Sequence, residues 1–238
     1  MPTRVIVIVP ALNEQETVAG VVAGITEHPG VDVLVVDDGS SDRTGTAARS
    51  AGAIVLRHPF NLGVGAALRT GFRYAQARGY DVAMQIDADG QHDPEEATRL
   101  LEAIAEGADL AVGSRFADGS GTYEVSAGRR FSMRVLSRIL SRRVGRPITD
   151  TTSGFRAFSR RAIELFALQY PSAYLSDTVE SLLIAHDNGL RIVEVPVSMR
   201  ERLGGVASNN RIRSIYHLVR LMLVIGLSRS RRPLSEGH

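Results

Sequence analysis

The sequence predicts an α/β fold in which helices cover both faces of a mostly parallel sheet. Short runs rich in Val, Ile and Leu alternate with helical periodicity throughout the first half of the chain. These runs are apolar at nearly every position, which is typical of parallel strands that are buried on both faces. Their β-α-β-α order indicates a doubly wound open sheet.

The individual elements follow in a regular order. In the first half we expect strands at residues 5–9, 33–36, 53–56, 82–86 and 110–112, and helices at 14–26, 43–50, 65–78 and 94–106. Asp93 and Pro94 mark the start of the last of these helices, since acidic residues follow them near the positive end of the helix dipole. In the less regular second half we expect helices at 129–143, 178–186 and 212–227, and a strand at 191–197.

Length and composition favour one large domain. The chain has 238 residues, of which 44% are hydrophobic and 23% charged, so disorder, collagen and a disulfide mini-scaffold are excluded. No repeat, low-complexity tract or linker is evident, so we expect a single domain over residues 1–238. The absence of Cys excludes disulfides, thiolate metal sites and a cysteine nucleophile.

Charge is unevenly distributed along the chain. All 28 basic residues are Arg, and the formal net charge is only +2. Residues 1–120 nevertheless carry −8, whereas residues 121–238 carry +10. A basic half predicts an anionic partner such as a phosphate, a nucleic acid or a membrane surface. Nucleic acid is disfavoured, because aromatic residues make up only 5% of the chain and no stacking platform is evident.

No segment predicts secretion or a membrane span. The N-terminus leads directly into an apolar strand without a signal-peptide cleavage site. The C-terminal apolar run at 221–227 is far shorter than the ~20 residues that cross a bilayer. We therefore expect a cytoplasmic protein, either soluble or peripheral at the inner face of the cell membrane.

Acidic side chains follow three of the predicted strands. They are Glu14 after the first strand, Asp37 and Asp38 after the second, and Asp87 and Asp89 after the fourth. Ligands of open α/β sheets bind at the carboxyl ends of the strands, so these residues are expected to face one site. Like charges that converge repel each other unless a cation neutralises them. Oxygen ligands of this kind favour Mg²⁺ or Mn²⁺, which usually bridge to substrate phosphates.

An ordered series of motifs extends over nearly the whole chain. The motifs are Val-Pro-Ala-Leu-Asn-Glu (9–14), Val-Val-Asp-Asp-Gly-Ser (35–40), Asn-Leu-Gly-Val-Gly (61–65), Asp-Ala-Asp-Gly-Gln-His (87–92), Val-Gly-Ser-Arg (112–115), Asp-Thr-Thr-Ser-Gly-Phe-Arg (150–156) and Val-Glu-Val-Pro (193–196). The series resembles the family 2 glycosyltransferases of the GT-A fold, especially the polyprenyl- and dolichyl-phosphate sugar synthases. This resemblance implies a Rossmann-like sheet with C-terminal helices, a nucleotide-sugar and metal half (1–120) and an acceptor half (121–238).

The resemblance also implies residues for the nucleotide. Pro10, Leu12 and Glu14 would line the nucleotide pocket, and Leu12 stands where the family more often has a stacking Tyr. Val36 and Asp38 would contact the base or the ribose of the nucleotide-sugar donor.

Further roles implied by the resemblance concern the phosphates and the metal. Asp87 and Ala88 would hold the nucleotide, while Asp89 and Gln91 would bind Mg²⁺ or Mn²⁺ together with the diphosphate. Arg115 and Arg202 would lie near donor or acceptor phosphates. Ser208 replaces the Lys that the lipid-phosphate synthases usually carry, and this departure leaves the acceptor open.

The implied reaction is an inverting sugar transfer, and its acceptor class decides whether a base is needed. Charge grows on the departing diphosphate, where a metal ion and arginines stabilise it. A polyprenyl-phosphate acceptor needs no strong base, whereas a hydroxyl acceptor needs a carboxylate to take its proton. Asp177 and Glu180, three residues apart on one helical face, are the candidate bases. Their spacing fits a helix cap equally well.

Two arginine-bearing helices leave alternatives open. Arg130, Arg134, Arg138 and Arg142 form a stripe that is either a solvated face or a surface for anionic lipid headgroups or an acceptor phosphate. The amphipathic helix at 212–227 either lies in a membrane interface or packs on the core or a second copy, as in a homodimer.

Rival functions fit the sequence less well. A nucleotidyltransferase needs a Gly-rich basic loop after the first strand, and residues 10–14 offer none. A non-catalytic nucleotide-sugar binder is disfavoured by the intact Asp87, Asp89 and Gln91. A nicotinamide site is disfavoured because the Gly-rich segment 61–65 follows the third strand and lacks the full fingerprint spacing. His58 and His217 have no evident catalytic partner in the sequence.

Overall fold

The protein is described by a computed structural model that covers residues 3–90, 96–116, 137–145, 147–171 and 177–198. The strands in these ranges are β1 (Val5–Ala11), β2 (Val31–Asp37), β3 (Ile54–Arg57), β4 (Val82–Gln85), β5 (Leu110–Ser114), β6 (Arg156–Ser159) and β7 (Ile192–Pro196). The helices are α1 (Val18–Thr26), α2 (Thr44–Ser50), α3 (Val64–Arg78), α4 (Ala97–Ala105), α5 (137–144), α6 (Arg160–Gln169) and α7 (Asp177–Asp187).

The seven strands form one sheet in the order β3-β2-β1-β4-β6-β5-β7. Within the described chain β6 alone runs antiparallel to its neighbours, β4 and β5, and the other pairings are parallel. The carboxyl ends of β1 to β4 therefore meet at one edge of the sheet. This arrangement confirms the predicted α/β fold with a mostly parallel sheet.

The core occupies both faces of the sheet, as a doubly wound fold requires. Successive residues of β1 alternate between the two faces, because side chains in a strand have a period of two. Ile6 and Ile8 join the larger apolar cluster, whereas Val7 and Val9 join the second. The larger cluster also contains an aromatic group from α3, β6, α6 and the residue after α6, made up of Phe72, Phe158, Phe166 and Tyr170.

Three elements differ from the predicted set. β6 and α6 were not predicted, because the strand is only four residues long and begins and ends with the polar residues Arg156 and Ser159. Ser159 then starts α6, since its side chain accepts a hydrogen bond from Ala162 N. Helix α1 begins at Val18 rather than at residue 14, because residues 12–17 form turns bonded to the loop after β2.

Helix α5 bears part of the predicted arginine stripe. Arg138 and Arg142 are exposed, while Leu140 between them is fully buried. Arg130 and Arg134, the predicted start of α4 at residues 93–94, and the predicted helix at 212–227 lie outside the described residues. Within the portion that the structure describes, no helix has the length and apolar character of a membrane span.

Candidate active site

Hydrogen bonds join the loops that follow β1 and β2. Asn13 N donates to Ser40 Oγ (3.0 Å), Asn13 Oδ1 accepts from Ser41 N (2.9 Å), and Glu14 N donates to Thr44 Oγ1 (2.8 Å). Asn13 has a φ of 57°, a left-handed conformation that Asn tolerates better than most residues. The two loops therefore form one fixed wall at the carboxyl edge of the sheet.

The residues predicted to line the nucleotide pocket occupy three different environments. Pro10 and Glu14 are half-buried, and the Glu14 carboxylate accepts a hydrogen bond from Thr17 Oγ1 at 2.9 Å. Leu12 is exposed, with 38% of its surface accessible. Val36 is fully buried in the larger apolar cluster, so its side chain forms core rather than pocket surface. Val36 nevertheless lies beside Pro10, its partner in the register of β1 and β2.

Asp38 holds the loop that follows β3. Its Oδ1 accepts from Leu62 N (3.0 Å), and its Oδ2 accepts from Gly63 N (2.7 Å). His58 Nδ1 lies 2.7 Å from Asp38 Oδ1, and His58 Nε2 lies 2.9 Å from Thr70 Oγ1 in α3. No signal in the sequence pointed to these hydrogen-bond partners of His58. Its partners are 20 and 12 residues away in the sequence, and only the fold brings them together.

Asp87 and Asp89 follow β4 at the same edge of the sheet. Asp89 is buried and Asp87 is half-buried. Gly154 lies so close to Asp87 that a methyl carbon placed on it would be 2.5 Å from Oδ2 and 2.8 Å from Oδ1. The loop before β6 therefore cradles the Asp87 carboxylate, and any larger residue at position 154 would force that carboxylate to shift.

The donor atoms of this turn suit a hard divalent cation. Mg²⁺ binds one or two carboxylates and takes its remaining ligands from substrate phosphates and water. Asp87 and Asp89 supply such carboxylates, whereas Gln91 lies outside the described residues. Across the described ranges, no group of three or more His, Cys, Asp or Glu side chains is arranged to hold a metal by itself.

Arg115 forms a bidentate ion pair with the fully buried Asp150. Arg115 Nε lies 2.7 Å from Asp150 Oδ2, and Nη2 lies 2.9 Å from Oδ1. Asp150 N and Thr149 N both donate to Glu194 Oε1 in β7, at 2.9 and 2.7 Å. Burial raises the pKa of Glu194 above its ordinary value. This polar network balances the charge of Arg115, whose contact with a phosphate remains a prediction.

Arg156 was not predicted as a site residue, yet it is among the largest fully buried side chains of the described chain. Its guanidinium donates to Ser153 O (2.8 Å), Ser181 Oγ (2.8 Å) and Thr178 O (3.0 Å). These bonds fasten the loop that cradles Asp87 to the first turns of α7. The only sequence signal was its place in the motif at 150–156.

Asp177 is buried at the first residue of α7. Burial raises its pKa to about 6, although the positive charge of Arg156 opposes this shift and the charge of Asp87 adds to it. Glu180 is half-buried, one helical turn further along. A carboxyl group that titrates near neutral pH is suited to general base chemistry. Arg202 and Ser208 lie outside the described residues.

The mostly parallel sheet presents fixed loops and an acidic turn at the carboxyl ends of its strands, which is where open α/β folds bind their ligands. The sequence model of the family "Glycosyl transferase family 2" matches residues 6–166. The chain belongs to this family, and it is a glycosyltransferase.

Characterised relatives and solved structures agree with this assignment. The chain is 38% identical over 214 residues to the polyprenol monophosphomannose synthase of Mycolicibacterium smegmatis, covering 86% of this chain and 80% of that protein. It is also 38% identical over 208 residues to the undecaprenyl-phosphate mannosyltransferase of Micrococcus luteus, covering 84% of each.

A solved structure confirms the GT-A fold. The crystal structure of glucosyl-3-phosphoglycerate synthase from Mycobacterium tuberculosis, in complex with Mg²⁺ and uridine diphosphate, superposes with a TM-score of 0.69. The two chains are 26% identical, and the match covers 98% of this chain and 81% of the other.

Proposed function

We propose that this glycosyltransferase transfers a sugar from a nucleoside diphosphate to the phosphate of a polyprenyl lipid, with inversion at the anomeric carbon and with Mg²⁺ or Mn²⁺. The observation that supports the donor half best is the Asp87 carboxylate, cradled by Gly154 beside the buried Asp89. The acceptor class is supported by the two relatives, which are a polyprenol monophosphomannose synthase and an undecaprenyl-phosphate mannosyltransferase.

The bonds that break and form determine which charges the site must stabilise. The bond between the anomeric carbon and the diphosphate oxygen breaks, and an oxygen of the acceptor phosphate attacks that carbon from the opposite face. The diphosphate leaves with the bonding electrons, so negative charge grows on it. A bound divalent cation would neutralise part of this charge. Because the acceptor phosphate is already an anion, no residue has to remove a proton from it.

The residues of the chain have distinct tasks in this scheme. Asp89 and Gln91 would hold the cation together with the diphosphate, while Asp87 and Ala88 would hold the nucleotide. Pro10, Leu12 and Glu14 would line the nucleotide pocket. Arg202 would provide positive charge near the phosphates. Arg115 would also lie near the phosphates, but its positive charge is balanced by Asp150, with which it forms an ion pair.

The proposal is tested by identifying the product. Purified protein is incubated with labelled uridine- and guanosine-diphosphate hexoses, Mn²⁺ and undecaprenyl phosphate in detergent. We expect an acid-labile lipid-phosphate sugar that disappears with EDTA, and nuclear magnetic resonance is expected to show the anomeric configuration opposite to that of the donor. Transfer to undecaprenol, which lacks the phosphate, would contradict the proposed acceptor class.

A second candidate acceptor is a hydroxyl group, and one observation favours it. Asp177 is a buried carboxyl group whose pKa of about 6 lies near neutrality. Asp177, or Glu180 on the same helix, would then take the hydroxyl proton. If Asp177→Asn and Glu180→Gln both retain full activity, the hydroxyl mechanism loses its base and the phosphate acceptor is favoured.

The acceptor class also implies a location for the protein. A polyprenyl phosphate resides in a membrane, so we place the enzyme at the inner face of the cell membrane as a peripheral protein. The exposed Arg138 and Arg142 of α5 are positioned to meet anionic headgroups. In this scheme the whole chain acts as one domain, with the donor half at 1–120 and the acceptor half at 121–238.

A further inference from the structure

Glu194 lies in β7, the edge strand that pairs in parallel with β5. β5 and β4 have the same direction, because β6 runs antiparallel to both. Arg115, the first residue after β5, therefore lies at the same edge of the sheet as Asp87 and Asp89, which follow β4. Glu194 stands two residues before the end of β7 and accepts hydrogen bonds from the segment that precedes β6. It is thus adjacent to the candidate site.

A first chain of contacts leads from Glu194 to the guanidinium of Arg115. Glu194 Oε1 accepts from Thr149 N at 2.7 Å and from Asp150 N at 2.9 Å, which fixes the backbone that carries Asp150. The Asp150 carboxylate then pairs with Nε and Nη2 of Arg115. The side chain of Asp150 is fully buried, whereas 19% of the Arg115 side chain is exposed. The guanidinium is therefore held by the protein and still reaches the surface.

A second chain of contacts leads from Glu194 to the backbone beside Arg115. Thr149 Oγ1 donates to Glu194 Oε2 at 2.8 Å and lies 2.8 Å from Ser114 Oγ. A hydroxyl group has one hydrogen to donate, so Ser114 donates to Thr149. Ser114 Oγ in turn accepts from Phe116 N at 3.2 Å. The second chain therefore starts at the two residues that flank Arg115 and ends at the Glu194 carboxylate.

Glu194 also places a second negative charge next to Asp150. Asp150 already balances the charge of Arg115, so these three groups have an excess negative charge when all are ionised. Burial raises the pKa of Glu194, and the negative charge of Asp150 adds to this shift. An ionised Glu194 therefore lowers the stability of the folded protein. Groups that do so are concentrated at functional sites, which favours a role of Glu194 in the site.

We infer that Glu194 is a positioning residue, which fixes both the guanidinium and the flanking backbone of Arg115. The group that Arg115 would meet is a phosphate, of either the donor or the acceptor. A guanidinium binds a phosphate through paired N–H groups in one plane, so its orientation as well as its charge determines the affinity. This inference rests on the proposed function, because it requires phosphate-bearing substrates.

A double-mutant cycle of Glu194→Ala and Arg115→Gln tests whether Glu194 acts through Arg115. Calorimetric titration with uridine and guanosine diphosphate in the presence of Mn²⁺ reports on the donor phosphates, and KM for undecaprenyl phosphate reports on the acceptor phosphate. We expect Glu194→Ala to weaken one of these two interactions by about tenfold, which identifies the phosphate that Arg115 meets. We expect the double variant to match Arg115→Gln alone. Independent, multiplied losses in the double variant would overturn the inference.

Asp109→Ala is the matched control, because Asp109 immediately precedes β5, at the opposite end of that strand from Arg115. Asp109 is half-buried and accepts hydrogen bonds from Arg191 N and Ser159 Oγ, both at 2.9 Å. We expect Asp109→Ala to lower the melting temperature and to leave both phosphate interactions unchanged. If Asp109→Ala and Glu194→Ala weaken the phosphate interactions equally, Glu194 has a merely structural role and the inference is overturned.

Two milder variants keep the test decisive. The amide of Glu194→Gln can accept from both backbone N–H groups and donate to Thr149 Oγ1, so we expect it to recover most of the affinity. A Glu194→Gln variant as weak as Arg115→Gln would overturn the inference. If Glu194→Ala does not fold, Thr149→Val takes its place in the cycle, because it cuts the second chain and preserves the size of the side chain.

The outcomes separate this inference from the proposed function. If the wild type binds no nucleoside diphosphate and transfers no sugar to undecaprenyl phosphate, the proposed function fails. If the wild type does both and Glu194→Ala behaves like the wild type in both phosphate measurements, only this inference is overturned.

Discussion

The two sides of the site are built by different physical means. On the β1–β2–β3 side, side-chain oxygens accept from backbone N–H groups of adjacent loops, as Asp38 does from Leu62 and Gly63. On the β4–β6–β5 side, guanidinium groups hold the loops: the half-buried Arg115 pairs with the buried Asp150, and the fully buried Arg156 donates to Ser181. Because removing one member of a buried charged network leaves desolvated groups unpaired, the second side is the more sensitive to substitution.

Arg156→Met is expected to have the largest effect on stability. It removes three hydrogen bonds and leaves buried acceptors unsatisfied, so we expect the free energy of unfolding to fall by about 3 kcal/mol or more. Urea unfolding measures the effect. Arg160→Met is the control, because the ion pair of Arg160 with Asp81 is exposed and is expected to be worth less than about 1 kcal/mol. Similar losses in the two variants would contradict the difference between the two sides.

Asp177 is expected to make the stability of the protein depend on pH. Its folded pKa of about 6 lies above the ordinary value of 3.8, so the folded state holds the proton more tightly than the unfolded state. Its contribution to stability is therefore present below pH 4 and is lost as pH rises to about 6. Between these pH values, we expect the free energy of unfolding of the wild type to fall by on the order of 2 kcal/mol relative to that of Asp177→Asn. Urea titrations at pH 4 and pH 7 check this, and parallel curves for the two proteins would contradict it.

Gly154→Ala tests whether the second side positions the acidic turn. The added methyl group would collide with the Asp87 carboxylate, and a displacement of about 1 Å near the reacting groups costs up to roughly 100-fold in rate. We expect kcat/KM to fall by about 10- to 100-fold while far-ultraviolet circular dichroism is preserved. Gly20→Ala in α1 is the matched control, since a methyl group there meets no atom within 4 Å. Equal activity of the two variants would show that the cradle has no catalytic importance.

The arginines of α5 are expected to have the smallest effect. Arg138→Gln combined with Arg142→Gln removes two exposed charges, each worth about 1 kcal/mol near an anionic bilayer. Flotation with phosphatidylglycerol liposomes is expected to decrease, and to decrease further with salt. Thermal stability is expected to stay within about 0.5 kcal/mol of the wild type. Unchanged flotation would assign these residues to a solvated face.

The β1–β2–β3 side was also the more predictable from the sequence. The β-branched runs of β1 and β2 and the acidic residues after them place one edge of the site by the strand-end rule alone. The same rule placed Asp87 and Asp89 correctly after β4. The rule does not reveal that Asp38 also holds the loop after β3, because that role depends on hydrogen bonds from Leu62 and Gly63.

The other side depends on contacts between distant parts of the chain. Nothing in the sequence links Arg115 to Asp150, which lies 35 residues away, or Arg156 to Ser181, which lies 25 residues away. β6 lacked an apolar run because Arg156 and Ser159 occupy its two ends, and its antiparallel pairing with β4 and β5 defines it as a strand. The side chain of Val36 is fully buried in the larger apolar cluster, and its contact with the nucleotide remains a prediction.

The most direct test of the account is the activity of Asp89→Ala. We measure the Mn²⁺-dependent transfer of labelled sugar from a nucleoside-diphosphate sugar to undecaprenyl phosphate. Glu102→Ala, on the exposed face of α4, is the matched acidic control. The account predicts no detectable transfer by Asp89→Ala at an unchanged melting temperature, and full transfer by Glu102→Ala. Transfer at the wild-type rate by Asp89→Ala would contradict the assignment of this turn as the metal and diphosphate site.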